Sequence, residues 1–600
     1  MNGFVCAARL SGGPASDPLR PTVHSAAPGF SVLDVGHGAA IARRGTATAV
    51  GTVRLDNRPD LLRRIVASAT CTDLDIVLAI VLQSGVAGIA DLLGDFAFVM
   101  WNPVARELLA ARDAFGVKPL YVRSRPDLLT FASAAATLAD SDAYESEYIA
   151  EFLVNSYDPT PRTPYAGVRA VAPGTVLRGH AGRIATKRYW SAAAFEPAES
   201  ADPGAPDADA ACETFRTLFE QSVALRLAAR GGGGVWSQLS GGLDSSSVVS
   251  MAQSLERAGA VPNGLGGAVS LVDRLDDEGE YARDVARSAG VRHEMIEDYW
   301  LWQDDGAPPP LSDAPDGLYP FYARNRRMRD VVRTNGGTVL LSGLGPDHYL
   351  AGNILFIADW VAAGQLPRAA RELYRWAMAS KSPFWKFAYD WTVLPLVPVS
   401  VRRRLAPRAS RPPAWIQPAF ARRFDLTARS AWYRGLDAPR GAQYAGQIAF
   451  VMDHVPACVD RGLFEDGIEM RFPFLYRPLV EFSLRLPREL RTRPTGRKWI
   501  MREALRGVLP ESVRTRRGKG GISRRVRWSL GRERGLIDEL LRDPMLAQLG
   551  VVDPAALRRT LADAERGDDL VLFPAVRALA LETWLRVRAG GWSTRASVSA

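Results

Sequence analysis

The stretch Gly234-Val-Trp-Ser-Gln-Leu-Ser-Gly-Gly-Leu-Asp-Ser-Ser-Ser-Val248 constrains the fold of this chain more than any other. Val235 to Leu239 reads as a short apolar strand, Ser240-Gly241-Gly242 as a tight turn, and a helix is expected from about Asp244. A strand that feeds a helix through two glycines makes an anion site. The glycines let the backbone approach closely and turn its N–H groups inward. The helix N-terminus adds aligned donors and partial positive charge. Ser240, Ser245 and Ser246 add hydroxyls. Asp244 is out of place beside a phosphate unless it holds a divalent cation that bridges to it. An ordinary helix cap needs one such residue. Here seven of the eight positions from 240 to 247 are polar or glycine. No Gly-Lys-Ser/Thr follows, so this is not a Walker loop.

Two further apolar strands follow, Gly267-Ala-Val-Ser-Leu271 and Thr338-Val-Leu-Leu-Ser342. Between them lie a helix over 277–286 and the segment His293-Glu-Met-Ile296. The second apolar strand ends in Gly343-Leu-Gly-Pro-Asp347-His348. Strands alternating with helices, with ligand-type loops after the strands, predict a doubly wound parallel sheet. Asp347 is then a second carboxylate at a strand C-terminus. Two carboxylates converging from separate strand ends suit Mg²⁺ bridging the phosphates of ATP. A lone histidine such as His348 is more often structural.

The first 190 residues alternate β-like runs, among them 51–56, 96–101, 107–111 and 120–122, with helical stretches near 60–69 and 75–84. This is a layered α+β pattern. Residues 191–210 are rich in Ala, Pro and acids and read as a linker. A helix over 211–230 leads into the glycine-rich turn. Three segments therefore follow: a domain at 1–190, a linker at 191–210 and a second domain at 211–600. Residues 354–440 read as helical and arginine-rich. Within them the apolar run 391–401 precedes Arg402-Arg-Arg404. Its prolines forbid a long helix, and a packed loop beside a solvated charge run is preferred over a membrane or partner contact.

The net charge of +10 comes from arginine, for the chain holds only six lysines: Lys118, Lys187, Lys381, Lys386, Lys498 and Lys519. No nucleic-acid-binding motif accompanies the charge, so no nucleic acid partner is expected. No signal pattern opens the sequence and no run of 18 apolar residues occurs, so neither export nor membrane contact is expected. Cys6, Cys71, Cys212 and Cys458 are scattered without pairing or metal spacing. A reduced, cytoplasmic protein without zinc fits that usage.

Ser-Gly-Gly-Leu-Asp-Ser-Ser resembles the pyrophosphate loop of the ATP pyrophosphatases, which cleave ATP between the α and β phosphates and activate a carboxylate or carbonyl as its adenylate. Further segments resemble the asparagine synthetases. Leu93-Gly-Asp-Phe-Ala-Phe-Val-Met-Trp101, Ala111-Arg-Asp-Ala-Phe-Gly-Val-Lys-Pro-Leu-Tyr121, Phe131-Ala-Ser133, Val168-Arg-Ala-Val-Ala-Pro-Gly174 and Arg188-Tyr-Trp190 are similar to their glutaminase domain. Gly467-Ile-Glu-Met-Arg-Phe-Pro-Phe-Leu-Tyr476 resembles Val-Glu-Ala-Arg-Val-Pro-Phe-Leu-Asp, with Tyr476 in place of the last Asp. Lys498-Trp-Ile-Met-Arg-Glu-Ala504 and Arg516-Arg-Gly-Lys519-Gly-Gly521 match the C-terminal motif. The resemblance, to the class B asparagine synthetase superfamily, covers nearly the whole chain. It implies an α/β two-domain protein. The first domain would be N-terminal-nucleophile (Ntn)-hydrolase-like α+β. The second would be a doubly wound ATP-pyrophosphatase domain, adenine nucleotide α-hydrolase-like, with a helical C-terminal part. It also implies ATP and Mg²⁺ as cofactors. The implied metal ligands are Asp244 and Asp347. The implied nucleotide contacts are Leu239, Ser240, Gly241, Gly242, Asp244, Ser245, Ser246, Ser270, Ser342, Gly343, Lys498 and Lys519. Lys519 would stabilise charge developing in the transition state, completing a catalytic set with Asp244 and Asp347.

Three departures bear on the reaction. Family members that hydrolyse glutamine carry a nucleophilic cysteine before the glycine matching Gly3, and here that position is Asn2. Cys6 is out of register, and an N-terminal nucleophile needs its own free amine. Val53-Arg-Leu-Asp-Asn-Arg58 stands where glutaminases carry amide-binding loops. The first domain is therefore expected to be a scaffold without glutaminase activity. β-Lactam synthetases and lasso-peptide cyclases also lack that cysteine, because their substrate carries its own amine. In Ser-Gly-x-Gly-x-Asp, asparagine synthetases place Glu at the first x and β-lactam synthetases place Tyr; here it is Leu344. The expectation is a macrolactam cyclase resembling lasso-peptide cyclases, acting on a precursor peptide alongside a leader-binding protein and a leader peptidase. The alternatives are an asparagine synthase-like ligase, glutamine- or ammonia-dependent, on a small carboxylate, and a non-catalytic scaffold. Asp453, His454, Asp460 and Glu465 are candidate bases without a motif match.

Overall fold

The computed structural model describes the chain apart from residues 1–2, 10–24, 28, 37, 141–142, 155–161, 181–182, 196–206, 229–233, 274–276, 399–400, 402–410, 433–440, 460–466, 519 and 593–600. Two compact units emerge. One comprises Met1–Ile149, Asp158–Ala194 and Met452–Gly467; the other comprises Ala150–Tyr157, Phe195–Val451 and Ile468–Ala600. The first unit thus draws in a short segment from far along the chain, which composition along a linear sequence does not reveal.

In the first unit the β-like runs pair into two six-stranded sheets. One runs Val168–Ala170, Tyr121–Arg125, Leu128–Ala132, Phe4–Ala8, Phe30–Val35, Ser25–Ala27. The other runs Arg183–Arg188, Thr175–His180, Glu107–Arg112, Gly94–Asn102, Ala47–Leu55, Ala40–Arg44. Successive side chains on a strand point to opposite faces, and both faces are used. Ala97, Val99 and Trp101 join Phe4, Cys6 and Ala8 in a core between the sheets. Phe96, Phe98 and Met100 face the other way and pack with Ile76, Val77 and Ile80 of the helix Asp73–Ala90. That helix starts where Thr72 and Asp75 form a reciprocal capping box. By length and composition it is apolar enough to cross a membrane, but one face of it is buried in this core. Its neighbour Arg58–Ile65 stops at Val66, which takes a left-handed conformation.

The second unit is built on a five-stranded parallel sheet in the order His293–Ile296, Gly267–Leu271, Gly234–Gln238, Gly337–Leu341, Glu469–Arg471. The chain enters at the centre, moves outward on one side, and returns to build the other. This is the doubly wound arrangement the sequence predicts. Its switch point lies between Gly234–Gln238 and Gly337–Leu341, where ligands bind in such sheets. The strand Glu469–Arg471 was not expected, because three residues ahead of Pro473 carry no alternation. It is held by tertiary bonds. Arg471 Nη1 donates to the carbonyls of Arg226 and Ala228 at 2.9 and 3.0 Å. Arg226 Nε donates back to the Phe472 carbonyl at 3.0 Å.

The helix before the sheet runs Ala208–Leu227 rather than 211–230. From Trp499 to Arg588 the described residues are mainly helical. The helices Phe356–Ala362 and Leu366–Ala379 fall within the expected helical region. Leu394 packs on Leu355, with Tyr389 and Trp391 against them, but Tyr389–Leu396 is helical rather than the expected loop, and Val393 and Val401 are exposed. Arg402, Arg403 and Arg404 lie outside the described residues.

Candidate functional site

The strand Gly234–Gln238 is followed by Leu239, and the helix Leu243–Arg257 begins two residues after Gly241. Gly241 has φ +70°, and a Cβ there would lie 2.4 Å from the Glu278 carbonyl oxygen. The turn therefore presses against the first turn of the helix Glu278–Ala289. Ser245 Oγ accepts from the Ser240 amide at 2.9 Å and lies 2.9 Å from Ser240 Oγ. These bonds close the loop into a ring without using the amides of the helix's first turn. Ser246 Oγ is buried and finds no hydrogen-bond partner among the described residues.

The second loop meets the first directly. A Cβ on Gly343 would lie 2.6 Å from the Ser245 backbone nitrogen, so only glycine permits this approach. Ser342 is anchored by its amide to the Arg471 carbonyl at 2.9 Å. Asp347 sits in the short helix Pro346–Tyr349, fixed by the buried Tyr349, whose hydroxyl donates to the Phe474 carbonyl at 2.8 Å. His348 is half-buried, with Nδ1 3.2 Å from the Gly345 carbonyl. Burial lowers its pKa, the Gly345 carbonyl and Asp347 oppose that shift, and Lys498 adds to it.

Lys498 joins the two loops. Its Nζ lies 2.8 and 2.6 Å from the two carboxylate oxygens of Asp244 and 2.6 Å from Asp347 Oδ1. The side chain is about one-tenth exposed, and its backbone is left-handed at φ +56°. Lys498 is among the expected nucleotide contacts; its bridging of the two proposed metal ligands comes from the tertiary structure. On the adenine side of the expected site, Ser270 Oγ donates to the Leu239 carbonyl and lies 2.6 Å from His293 Nε2. His293 opens the strand His293–Ile296, and only the pairing of that strand with Gly267–Leu271 brings it to Ser270. Lys519 lies outside the described residues. Arg516, three residues before it, reaches Gly241 and Asp277.

The structure thus brings together Leu239 to Ser246, Ser270, Ser342, Gly343, Asp347 and Lys498. No cluster of three or more His, Cys, Asp or Glu suited to a metal occurs among the described residues. Two carboxylates alone fit a magnesium ion that completes its shell with substrate phosphates and water. The buried Ser246 hydroxyl is a polar atom that such a phosphate can satisfy. Of the candidate bases, Asp453 pairs with Arg188 in the first unit, and Asp460 and Glu465 lie outside the described residues. Tyr476 is buried, with the Arg226 guanidinium 5.6 Å over its ring, which is a packing role. In the first unit Cys6 is fully buried in mid-strand, paired with Val32 on one side and Phe131 on the other. Burial pushes its thiol well above the ordinary pKa. Arg54, expected near an amide-binding loop, is tied to Asp56 and Asp95 at 2.6 and 2.7 Å.

Residues 214–586 match the family described as Asparagine synthase, and residues 56–190 match the Glutamine amidotransferase domain. The chain is similar to glutamine-hydrolysing asparagine synthetase 1 of Bacillus subtilis, 25% identical over 486 residues, covering 75% of this chain and 71% of that protein. It is also similar to amidase chyE of Penicillium rubens, 25% identical over 570 residues, covering 82% and 81%. Amidase chry2 of Gibberella zeae is 26% identical over 546 residues, covering 80% and 77%.

Proposed function

This chain belongs to the asparagine synthase family and is an ATP-dependent C–N ligase, and from that premise we propose that it closes a macrolactam ring in a precursor peptide. An Asp or Glu side-chain carboxylate of the peptide attacks the α-phosphorus of ATP. The bond from that phosphorus to the bridging oxygen breaks, and pyrophosphate leaves. The peptide's N-terminal amine then attacks the acyl carbon, AMP departs with the bonding electrons, and the amine gives up a proton. A peptide α-amine is partly neutral near a pH of about 7.5, so a weak base suffices.

The residues of the site suit the first half of this reaction. The loop from Ser240 to Ser246 and the amides opening the helix Leu243–Arg257 hold the phosphates. Asp244 and Asp347 would hold Mg²⁺, which supplies positive charge against the phosphates and the leaving pyrophosphate. Lys498 keeps both carboxylates aimed at one point. Holding carboxylate and phosphate together replaces a bimolecular encounter with an oriented one.

The observation that carries the choice of amine is the burial of Cys6 in mid-strand. A thiol locked between two strands has no path to glutamine, and Asn2 occupies the position before Gly3. Leu344, in the loop leading to Asp347, can neither shuttle a proton nor bind an ammonium. Both features suit a substrate that brings its own amine. A leader-binding protein and a leader peptidase would prepare that peptide. A second reading, amidation of a small carboxylate with free ammonia, is favoured by the similarity to asparagine synthetases.

The test is mass spectrometry of a leaderless precursor peptide, encoded beside this chain, incubated with enzyme and Mg-ATP. Loss of one water from the peptide with AMP release supports the macrolactam cyclase. AMP release driven by aspartate and ammonia, with the peptide unchanged, supports the second reading. In both cases Asp244→Ala should abolish AMP formation, and retained turnover would contradict the phosphate-site assignment.

A further inference from the structure

We propose that Arg516 is a positioning residue that sets the direction of an anion-binding amide in the glycine turn. This rests on the reading of that turn as the pyrophosphate loop. Arg516 contacts three groups from two other segments. Its Nη1 lies 3.4 Å from the Gly241 carbonyl oxygen, a long contact. Its Nη2 lies 2.7 Å from Asp277 Oδ1. Its guanidinium stacks 4.0 Å over the ring of Tyr281. The side chain is about nine-tenths buried, although an arginine with no such task is usually solvated.

The consequence follows from peptide planarity. In a trans peptide the carbonyl and the next N–H point in opposite directions. A guanidinium that draws the Gly241 carbonyl toward Asp277 and Tyr281 turns the Gly242 N–H the other way, toward Ser240 and the start of the helix Leu243–Arg257. That N–H makes only a 3.4 Å contact with Ser240 Oγ, so a phosphate oxygen can compete for it. Gly241 has no side chain to limit its rotation, and φ +70° is one of several conformations open to glycine. Arg516 is the group that selects among them. Asp277 holds the guanidinium in place by its charge and Tyr281 by its face. A lysine cannot take this role, because a point-like ammonium cannot span a carbonyl, a carboxylate and a ring at once.

The turn faces the phosphates and not the adenosine, so the effect should be selective. The experiment titrates the full chain, in the presence of Mg²⁺, with pyrophosphate and separately with AMP. The wild-type chain should bind both. Arg516→Leu should lose about tenfold in pyrophosphate affinity, the worth of one charge-assisted bond, and keep its AMP affinity. Arg516→Lys should recover only a small part. Equal losses for pyrophosphate and AMP would mark a merely structural role and overturn the proposal, as would an unchanged pyrophosphate affinity. Should Arg516→Leu fail to fold, Tyr281→Leu, which keeps the charge and removes the ring, should show the same selectivity at smaller amplitude. A Tyr281→Leu chain with wild-type affinity for pyrophosphate would equally overturn it. A wild-type chain that does not bind pyrophosphate would instead defeat the phosphate-loop reading itself.

Discussion

The ammonium of Lys498 lies within hydrogen-bond distance of both carboxylate oxygens of Asp244, at 2.8 and 2.6 Å. It also reaches Asp347 at 2.6 Å, so one lysine bridges two carboxylates that follow adjacent strands and offsets part of their charge. Without it the two negative charges would face each other across a partly buried gap, which raises the energy of the folded state. The pairing also holds Lys498 in a left-handed backbone conformation, which by itself costs about 1–3 kcal/mol.

Replacing Lys498 with alanine should therefore destabilise the chain by about 2 kcal/mol, the worth of a hydrogen bond to a charged group. Added Mg²⁺ should restore part of that loss, because a cation between Asp244 and Asp347 replaces the missing charge. Thermal melts with and without Mg²⁺ would check this. An equal deficit in both conditions would contradict the shared-charge account. AMP formation should fall about 100-fold or more, as when an oriented donor is removed from a phosphoryl site. Lys498→Arg should not restore it, since a planar fork does not fit a three-point ammonium site.

Two glycines with the same backbone angle should respond differently to alanine. Gly241 at φ +70° would place a Cβ 2.4 Å from a backbone carbonyl, whereas Gly259 at φ +69° has nothing within 4 Å. Gly259→Ala should cost about 1 kcal/mol for the left-handed conformation alone. Gly241→Ala should cost more, about 1–3 kcal/mol, and should abolish pyrophosphate binding by displacing the turn. Chemical denaturation of both variants would compare them, and equal costs would contradict the close packing of the turn.

His293 makes stability depend on pH. Burial, followed by the charge of Arg283, lowers its pKa below the ordinary histidine value, with Glu294 opposing. Between the lowered folded value and the unfolded value of about 6.5, the unfolded chain binds the extra proton and the folded chain does not. Stability is therefore complete above about 6.5 and declines as the pH falls through that window. His293→Gln should flatten this decline. Denaturation at pH 7.5 and 5.5 would measure it, and identical slopes for the two chains would contradict the assignment.

Cys6→Ala should leave AMP formation unchanged, because Cys6 lies in the core between the two sheets of the first unit. No glutamate should be released from glutamine by either chain. Glutamate release that disappears in Cys6→Ala would overturn the reading of the first unit as a scaffold. The substitution should cost about 1 kcal/mol for the buried sulfur that it removes.

Much of the second unit was legible in the sequence. Gly267–Leu271 falls where its apolar pattern placed it, and both glycine-rich loops follow strands. These are local features, carried by residues within one turn or one strand of each other. Glu469–Arg471 was not legible as a strand, because its ladder pairs with residues more than a hundred positions earlier. Arg516 could be flagged only by its place three residues before Lys519, since nothing near it in the sequence marks Gly241, Asp277 or Tyr281 as its partners.

By itself the sequence determined the three central strands of the parallel sheet, the glycine-rich turns after two of them, and which carboxylates, serines and glycines stand at those strand ends. Side-chain periodicity and the steric freedom of glycine act over a few residues and need no partner. Tertiary structure alone decided that Lys498 meets Asp244 across 254 positions of chain, that His293 leans on Ser270, and that Arg516 stacks beside the glycine turn. Those meetings depend on strand order and on which long side chains find opposite charge in a desolvated space. No local pattern encodes either, because the free energy that selects them exists only once the sheet has assembled.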